Sequence, residues 1–306
     1  MNQPALIFIV GPTAVGKSET AMVLASKLNA EIISCDALQV YREINIVNDK
    51  PSRQTRAQIP HHLIDLISVT EDFNVARWRQ LAEAAIKEIH ARGKAALVVG
   101  GSGMYMSVLL DGIFEGEVLE SALRKKLSVE LSINGPQALH ERLKSLDPNA
   151  AQKIHPNDPQ RIIRALEVSL SAGKPLSQLQ QKREGLWGKL PMSIFALNRE
   201  RQELYHRVEA RIDQMFKAGV VDEVKSISTL TLSRTAQKLI GVPEITGYLN
   251  GEYNLERAKY LMKLHTRHYV KRQLTWFRRD KRLTWVDILT GQSSQQVAET
   301  IEVALR

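Results

Sequence analysis

Eight residues near the start, Gly11-Pro12-Thr13-Ala14-Val15-Gly16-Lys17-Ser18, fit G-x-x-x-x-G-K-[ST], a pattern whose glycines let successive backbone N–H groups converge on a phosphate. Its lysine neutralises phosphate charge, and its Ser18 hydroxyl can ligate Mg2+. Two other stretches can bring chemistry to such a loop. Asp36 follows a short apolar run, and a carboxylate there can serve as metal ligand, as general base or as a cap on the next turn. Ser102 lies in Gly100-Gly101-Ser102-Gly103, where its hydroxyl can meet a flat ligand or belong to a simple tight turn. Arg161 and Arg164, three apart, share a helix face that either meets solvent or clamps a phosphate, and Arg207 and Arg211 stand at i and i+4. The adjacent His61 and His62 would point apart in a regular element and have no third ligand at a suggestive spacing, so no metal site is expected there.

The elements that must hold these residues read as an α/β fold. Residues 5–10 (ALIFIV) suit a strand buried on both faces, and 17–28 a helix with Ala21, Leu24, Ala25 and Leu28 inward. A second strand, 31–34, delivers Asp36 to the carboxyl edge of the sheet, where ligands bind in open α/β folds. Asn74 can cap a helix over 75–92 with Trp78, Leu81, Ala85 and Ile89 inward. A third strand, 95–99, delivers the Gly100–Gly103 turn to the same edge. Many phosphate-loop NTPases end such a strand in a Mg2+-holding aspartate; Gly100-Gly101 stands there instead and is read as allowing close backbone approach.

Beyond residue 115 the texture turns helical, broken by Gly135-Pro136, Asp147-Pro148, Pro156, Asp158-Pro159, Gly173 and Pro175. A strand-like MSIFAL at 192–197 resumes the sheet, followed by helices over 200–218 and 254–279, a last strand at 283–288 and a closing helix at 293–305. The expectation is a P-loop NTPase-like parallel sheet flanked by helices, made of residues 1–115 and 190–306, with an inserted helical subdomain at 116–189.

Composition narrows the setting. The 306 residues are 43% hydrophobic, with one cysteine, Cys35, which excludes an intrachain disulfide framework and a cysteine-rich zinc site. No apolar run is long enough to span a membrane, and no basic region precedes the first apolar segment, so a soluble cytoplasmic protein is expected. The net charge of +9 suggests a polyanionic partner. Much of it lies between Arg257 and Arg282, where Lys259, Lys263, Arg267, Lys271, Arg272, Arg278, Arg279 and Lys281 are opposed by Asp280 alone. That run reads as a phosphate-backbone track, with Trp276 packed in the core.

With these residues in view, the chain resembles the tRNA dimethylallyltransferases, also called tRNA isopentenyltransferases. The matching pieces are GPTAVGKS (11–18), SCDALQVY (34–41), LVVGGSGMY (97–105), HPNDPQRIIRALEV (155–168), RVEARIDQM (207–215) and TRHYVKRQLTWFRR (266–279). The resemblance implies transfer of a dimethylallyl group from dimethylallyl diphosphate to the exocyclic amine of an adenine beside the tRNA anticodon, with Mg2+ as cofactor. The loop would then hold a leaving diphosphate, which accounts for the missing strand-end aspartate. It further implies Asp36 as general base, Ser102 as the hydroxyl that orients the adenine, and Arg211 facing the departing diphosphate. Asp36, Ala37, Leu38, Gln39, Ser102, Arg124, Gln160, Arg161, Ile162, Ile163 and Arg164 fall at positions that contact the tRNA, and a monomer is expected. The sequence departs from the family where Ala37 replaces serine, Ser102 replaces threonine, Ile46-Val47-Asn48-Asp49-Lys50-Pro51 replaces Ile-Gly-Thr-Ala-Lys-Pro, and Gly241-Val242 replaces Gly-Tyr. The competing readings are a small-molecule kinase that consumes ATP, a tRNA-binding paralogue with reduced activity, and an enzyme acting on free adenine nucleotides.

Overall fold

The computed structural model describes residues 5–113 and 121–305. Among them, six strands form one parallel sheet in the order β3-β2-β4-β1-β5-β6, with β1 Leu6–Val10, β2 Ala30–Ser34, β3 His61–His62, β4 Ala95–Gly100, β5 Met192–Arg199 and β6 Thr284–Ile288. The apolar run of β1 is buried throughout because β4 and β5 flank it and helices cover both faces. The chain reverses its winding beside β1, so the loop after that strand opens at the switch point where α/β sheets bind ligands. The two histidines that resemble a metal pair instead form the short edge strand β3: His61 Nδ1 lies 2.7 Å from the Ile59 carbonyl and His62 Nε2 lies 2.8 Å from the buried Glu31.

Helix α1, Lys17–Leu28, buries Ala21, Leu24 and Ala25 against the sheet. Helix α2, Val75–Ala91, begins where the Asn74 side chain accepts the Arg77 N–H. Its buried stripe is Trp78, Ala82, Ala85, Ile86 and Ile89, so Ala82 takes the inward position expected for Leu81. Helix α3, Gly103–Asp111, follows the glycine-rich turn.

By compactness the chain divides into one unit of residues 1–109 with 187–306 and a second of 110–186. Among its described residues the second unit is all helical. Helix α4, Ser121–Leu146, is interrupted at Gly135, whose φ of 76° precedes Pro136, and α5, Pro159–Ala172, starts at the Asp158 cap. Leu127, Leu139, Leu143, Ile162 and Leu166 form its core.

Back in the first unit, α6, Arg201–Lys217, leaves the end of β5 and is followed by α7, Val220–Ile227. Helix α8, Leu255–Phe277, packs along α6, and α9, Ser294–Ala304, closes the unit against α1. No helix among the described residues is long and apolar enough to cross a membrane.

Candidate active site

The phosphate loop is held from outside by side chains that arrive much later in the sequence. Ala14 adopts a left-handed φ of 63°, costly for an L-residue, and its carbonyl accepts the Arg207 Nε–H at 2.8 Å. The Val15 carbonyl accepts from Arg199 Nε at 2.9 Å, and Arg211 donates to the Thr13 hydroxyl at 2.7 Å. Pinning these groups outward fixes the loop in a shape whose remaining N–H groups suit an anion. Lys17 Nζ donates to the Pro12 carbonyl at 2.7 Å. Burial, followed by the charge of Arg211, brings its pKa down to about 8.

Asp36 and Ser102 meet beside this loop. Asp36 accepts the Leu38 N–H at 2.9 Å, so the capping role is real, yet the carboxylate also lines the cavity with Lys17, Ser18 and Arg211. Burial pushes its carboxyl above the usual range, opposed by the Leu38 N–H and by the charges of Lys17 and Arg211. Ser102 accepts the Ala37 N–H at 3.3 Å, Ser34 donates to Gln39 Oε1 at 2.8 Å, and Asn48 donates to the Leu38 carbonyl at 2.6 Å. The turn after β2 is thereby tied to the turn after β4.

Close backbone approach holds at Gly100, where a Cβ would run into the Cys35 carbonyl, whereas Gly101 and Gly103 make room for side chains. Three residues of one α8 face lie along the turn: Gln273 at Gly101, Tyr269 at Ser102 and Trp276 at Gly103. A Cβ on Gly101 would stand 2.2 Å from Gln273 Nε2, and one on Gly103 would stand 2.2 Å from the Trp276 ring. The absent side chains therefore admit a helix of the same protein. Trp276 is no core residue; it caps Gly103 while remaining 43% exposed. Sequence reading missed Gln273, whose side chain accepts the Thr13 N–H at 2.9 Å and donates to the Gly101 carbonyl at 3.0 Å. The only available signal was a neutral amide within a basic helix.

Two cavities share Thr13, Asp36, Asn48, Arg211 and Tyr269 as a waist. One opens over Lys17 and Ser18. The other, about 290 Å³, has an apolar wall of Val47, Val208, Ile212, Met215, Leu239 and Met262. Segment 45–47 is seated by Glu223 on α7, whose carboxylate accepts the N–H groups of Asn45, Ile46 and Val47 at 2.6 to 3.0 Å. This brings Asp49 to the loop cavity, where its carboxylate pairs with Arg211 at 3.4 Å.

The basic run on and after α8 is not one uniform track. Lys259 and Lys263 both pair with Asp213, and Arg267 pairs with Glu209, all on α6, while Arg282 pairs with Asp280. Lys271, Arg278, Arg279 and Lys281 have no ion pair among the described residues. Expected RNA-contacting residues of the second unit separate similarly. Ile162 and Ile163 are buried in its core, which leaves Gln160, Arg161 and Arg164 to present side chains. Arg124 of α4 and Arg164 of α5 converge on the fully buried Glu167 at 3.6 and 3.4 Å.

Fold and site together define a phosphate-loop α/β protein whose loop faces a carboxylate and an apolar chamber. The family model for IPP transferases matches residues 39–280. The chain is 39% identical over 301 residues to the tRNA dimethylallyltransferase of Halothermothrix orenii, covering 97% of this chain and 92% of that one. It is 42% identical over 299 residues to that of Alkaliphilus metalliredigens, covering 97% and 95%. Among solved structures, the full-length tRNA isopentenylpyrophosphate transferase of Bacillus halodurans matches with TM-score 0.73 at 36% identity, over 99% of this chain and 96% of that one. A eukaryotic dimethylallyltransferase acting on tRNA matches with TM-score 0.83 at 29% identity, over 99% and 80%. The chain belongs to the tRNA dimethylallyltransferase (IPP transferase) family. The matched relatives extend over nearly its whole length, so the likeness takes in the loop that precedes the family model's span.

Proposed function

We propose that this protein transfers a dimethylallyl group from dimethylallyl diphosphate to the N6 amine of an adenine next to the tRNA anticodon, releasing diphosphate. The observation that carries this reading is the waist: Asp36, Thr13 and Arg211 line both the cavity over the phosphate loop, which holds Lys17 and Ser18, and the apolar one. The loop, Lys17 and Arg211 hold the diphosphate, and the apolar wall receives the organic side of the reaction. As the bond from N6 to the first prenyl carbon forms, the bond from that carbon to the diphosphate oxygen breaks and its electron pair leaves with the oxygen. The N6 proton passes to the Asp36 carboxylate, whose raised pKa suits a proton acceptor. Arg211 and Lys17 stabilise the charge that develops on the leaving oxygen.

Ser18, on the lining of the loop cavity, offers a hard oxygen donor that suits Mg2+. Among the described residues no cluster of three His, Cys, Asp or Glu could hold a metal alone. That fits an ion that takes most of its ligands from diphosphate and water, and its chemistry would be to neutralise the leaving group. The RNA contacts fall to Arg161, the Arg124 and Arg164 pair, and the unpaired cations on and just after α8.

Purified protein incubated with dimethylallyl diphosphate, Mg2+ and either unmodified tRNA or AMP tests the reading. Nucleoside mass analysis should show prenylated adenosine from tRNA far in excess of any product from AMP. Equal efficiency on both acceptors, or consumption of ATP with a nucleoside acceptor, contradicts it.

A further inference from the structure

Gln273 joins three parts of the first unit that are remote in sequence. Its Oε1 accepts the backbone N–H of Thr13, 260 residues away, and its Nε2 donates to the carbonyl of Gly101, 172 residues away. The residue is only 5% exposed. Thr13 is thus held twice, through its N–H by Gln273 and through its hydroxyl by Arg211. Gly101 is followed directly by Ser102, whose hydroxyl accepts the N–H of Ala37 beside Asp36. One amide therefore spans the diphosphate loop on one side and the Asp36–Ser102 turns on the other.

Only a side chain with both a donor and an acceptor at its tip makes both bonds, and only one of this length reaches them from α8. The space it fills is the space a side chain on residue 101 would occupy. The neutral amide also adds no negative charge beside the anion site, unlike a strand-end carboxylate.

We infer that Gln273 is a positioning residue for prenyl transfer: it fixes the spacing between the leaving-group loop and the base-bearing turn, without contributing to the affinity of either. The inference rests on the transfer reading above. Its physical basis is the steep dependence of a displacement on the alignment of its reacting atoms, where an error of about 1 Å costs on the order of a hundredfold in rate.

Gln273→Met keeps a similar length without the two bonds, and Gln273→Asn keeps the amide but is one methylene too short to make both. Each is compared with the unaltered protein for kcat at saturating tRNA and dimethylallyl diphosphate, for Kd toward inorganic diphosphate with Mg2+, and for Kd toward tRNA. The expected result is a kcat lowered about ten- to a hundredfold. Both dissociation constants should stay within about threefold. A kcat within about twofold of the unaltered protein in either folded variant overturns the inference. So does diphosphate affinity that falls in step with kcat, which would make Gln273 a support of the loop alone, and so does loss of fold in both variants. Turnover of the unaltered protein on tRNA tests the transfer reading; the ratio of variant to unaltered protein tests this one.

Discussion

Arg211 and Asp49 pair within the lining of the loop cavity, Nε to Oδ2 at 3.4 Å, while another nitrogen of the same guanidinium donates to the Thr13 hydroxyl. Asp49 stands where the family pattern has alanine. On the proposed reading it adds a negative charge beside the diphosphate and competes for Arg211. The Asp49 side chain is 58% exposed, so the pair itself contributes little to stability. Asp49→Ala should tighten dimethylallyl diphosphate binding about three- to tenfold by isothermal titration, with little change in melting temperature. Weaker binding in that variant would show that Asp49 helps to hold the diphosphate and its metal.

Lys17 gives the donor site a pH dependence. Its pKa is lowered to about 8 by burial and by Arg211, so it loses its proton as pH rises through that value. An arriving diphosphate favours the charged lysine and raises its pKa, so binding takes up a proton on the alkaline side. Affinity should be full below about pH 8 and fall above it, and Lys17→Met should remove the fall while weakening binding at every pH. Titrations across this range check the sign; affinity that rises with pH would contradict it.

What could be read from the sequence was local. The phosphate loop, its flanking strand and helix, and the carboxylate after the second strand declare themselves within a few neighbours, because strand burial, glycine placement and helix spacing are short-range. Gln273, Arg199 and Arg207 were not legible as loop supports, since each meets its target only after the sheet and α8 are assembled. Trp276 misleads for the same reason: its spacing suits a core helix, but its neighbour is the bare backbone of Gly103. The α8 charges are plain in the sequence, whereas the α6 carboxylates that neutralise several of them become their neighbours only in the fold.

That division makes the salt dependence of tRNA binding selective. Replacing Lys271, Arg278 and Arg279 by alanine should reduce the slope of log affinity against log salt by roughly 0.7 to 0.9 for each phosphate no longer neutralised. Replacing Lys263 and Arg267, whose charges already meet Asp213 and Glu209, should change the slope less and the melting temperature more. Filter binding over a salt series distinguishes the two sets, and equal slopes would dissolve the distinction.

In the helical unit, Glu167 is fully buried and, among the described residues, is reached by Arg124 and Arg164 alone, at 3.6 and 3.4 Å, with one carboxylate oxygen unpartnered. Glu167→Gln keeps the shape and removes the attraction that draws the two arginines together. Because both arginines are a third or more exposed, the stability cost should be modest, on the order of 1 kcal/mol. Affinity for tRNA should fall severalfold while dimethylallyl diphosphate binding is unchanged. Parallel loss of both affinities would contradict this.

The central claim, that the Asp36 carboxylate accepts the amine proton during transfer, is tested most directly by one rate. Prenylated adenosine is followed by mass analysis in a single turnover on saturating tRNA, for the unaltered protein and for Asp36→Asn. The exocyclic amine's lone pair is delocalised into the ring, so without an acceptor the rate should drop on the order of a hundredfold or more, with tRNA affinity retained. Near-equal rates, or no prenylated adenosine from the unaltered protein, would contradict the account.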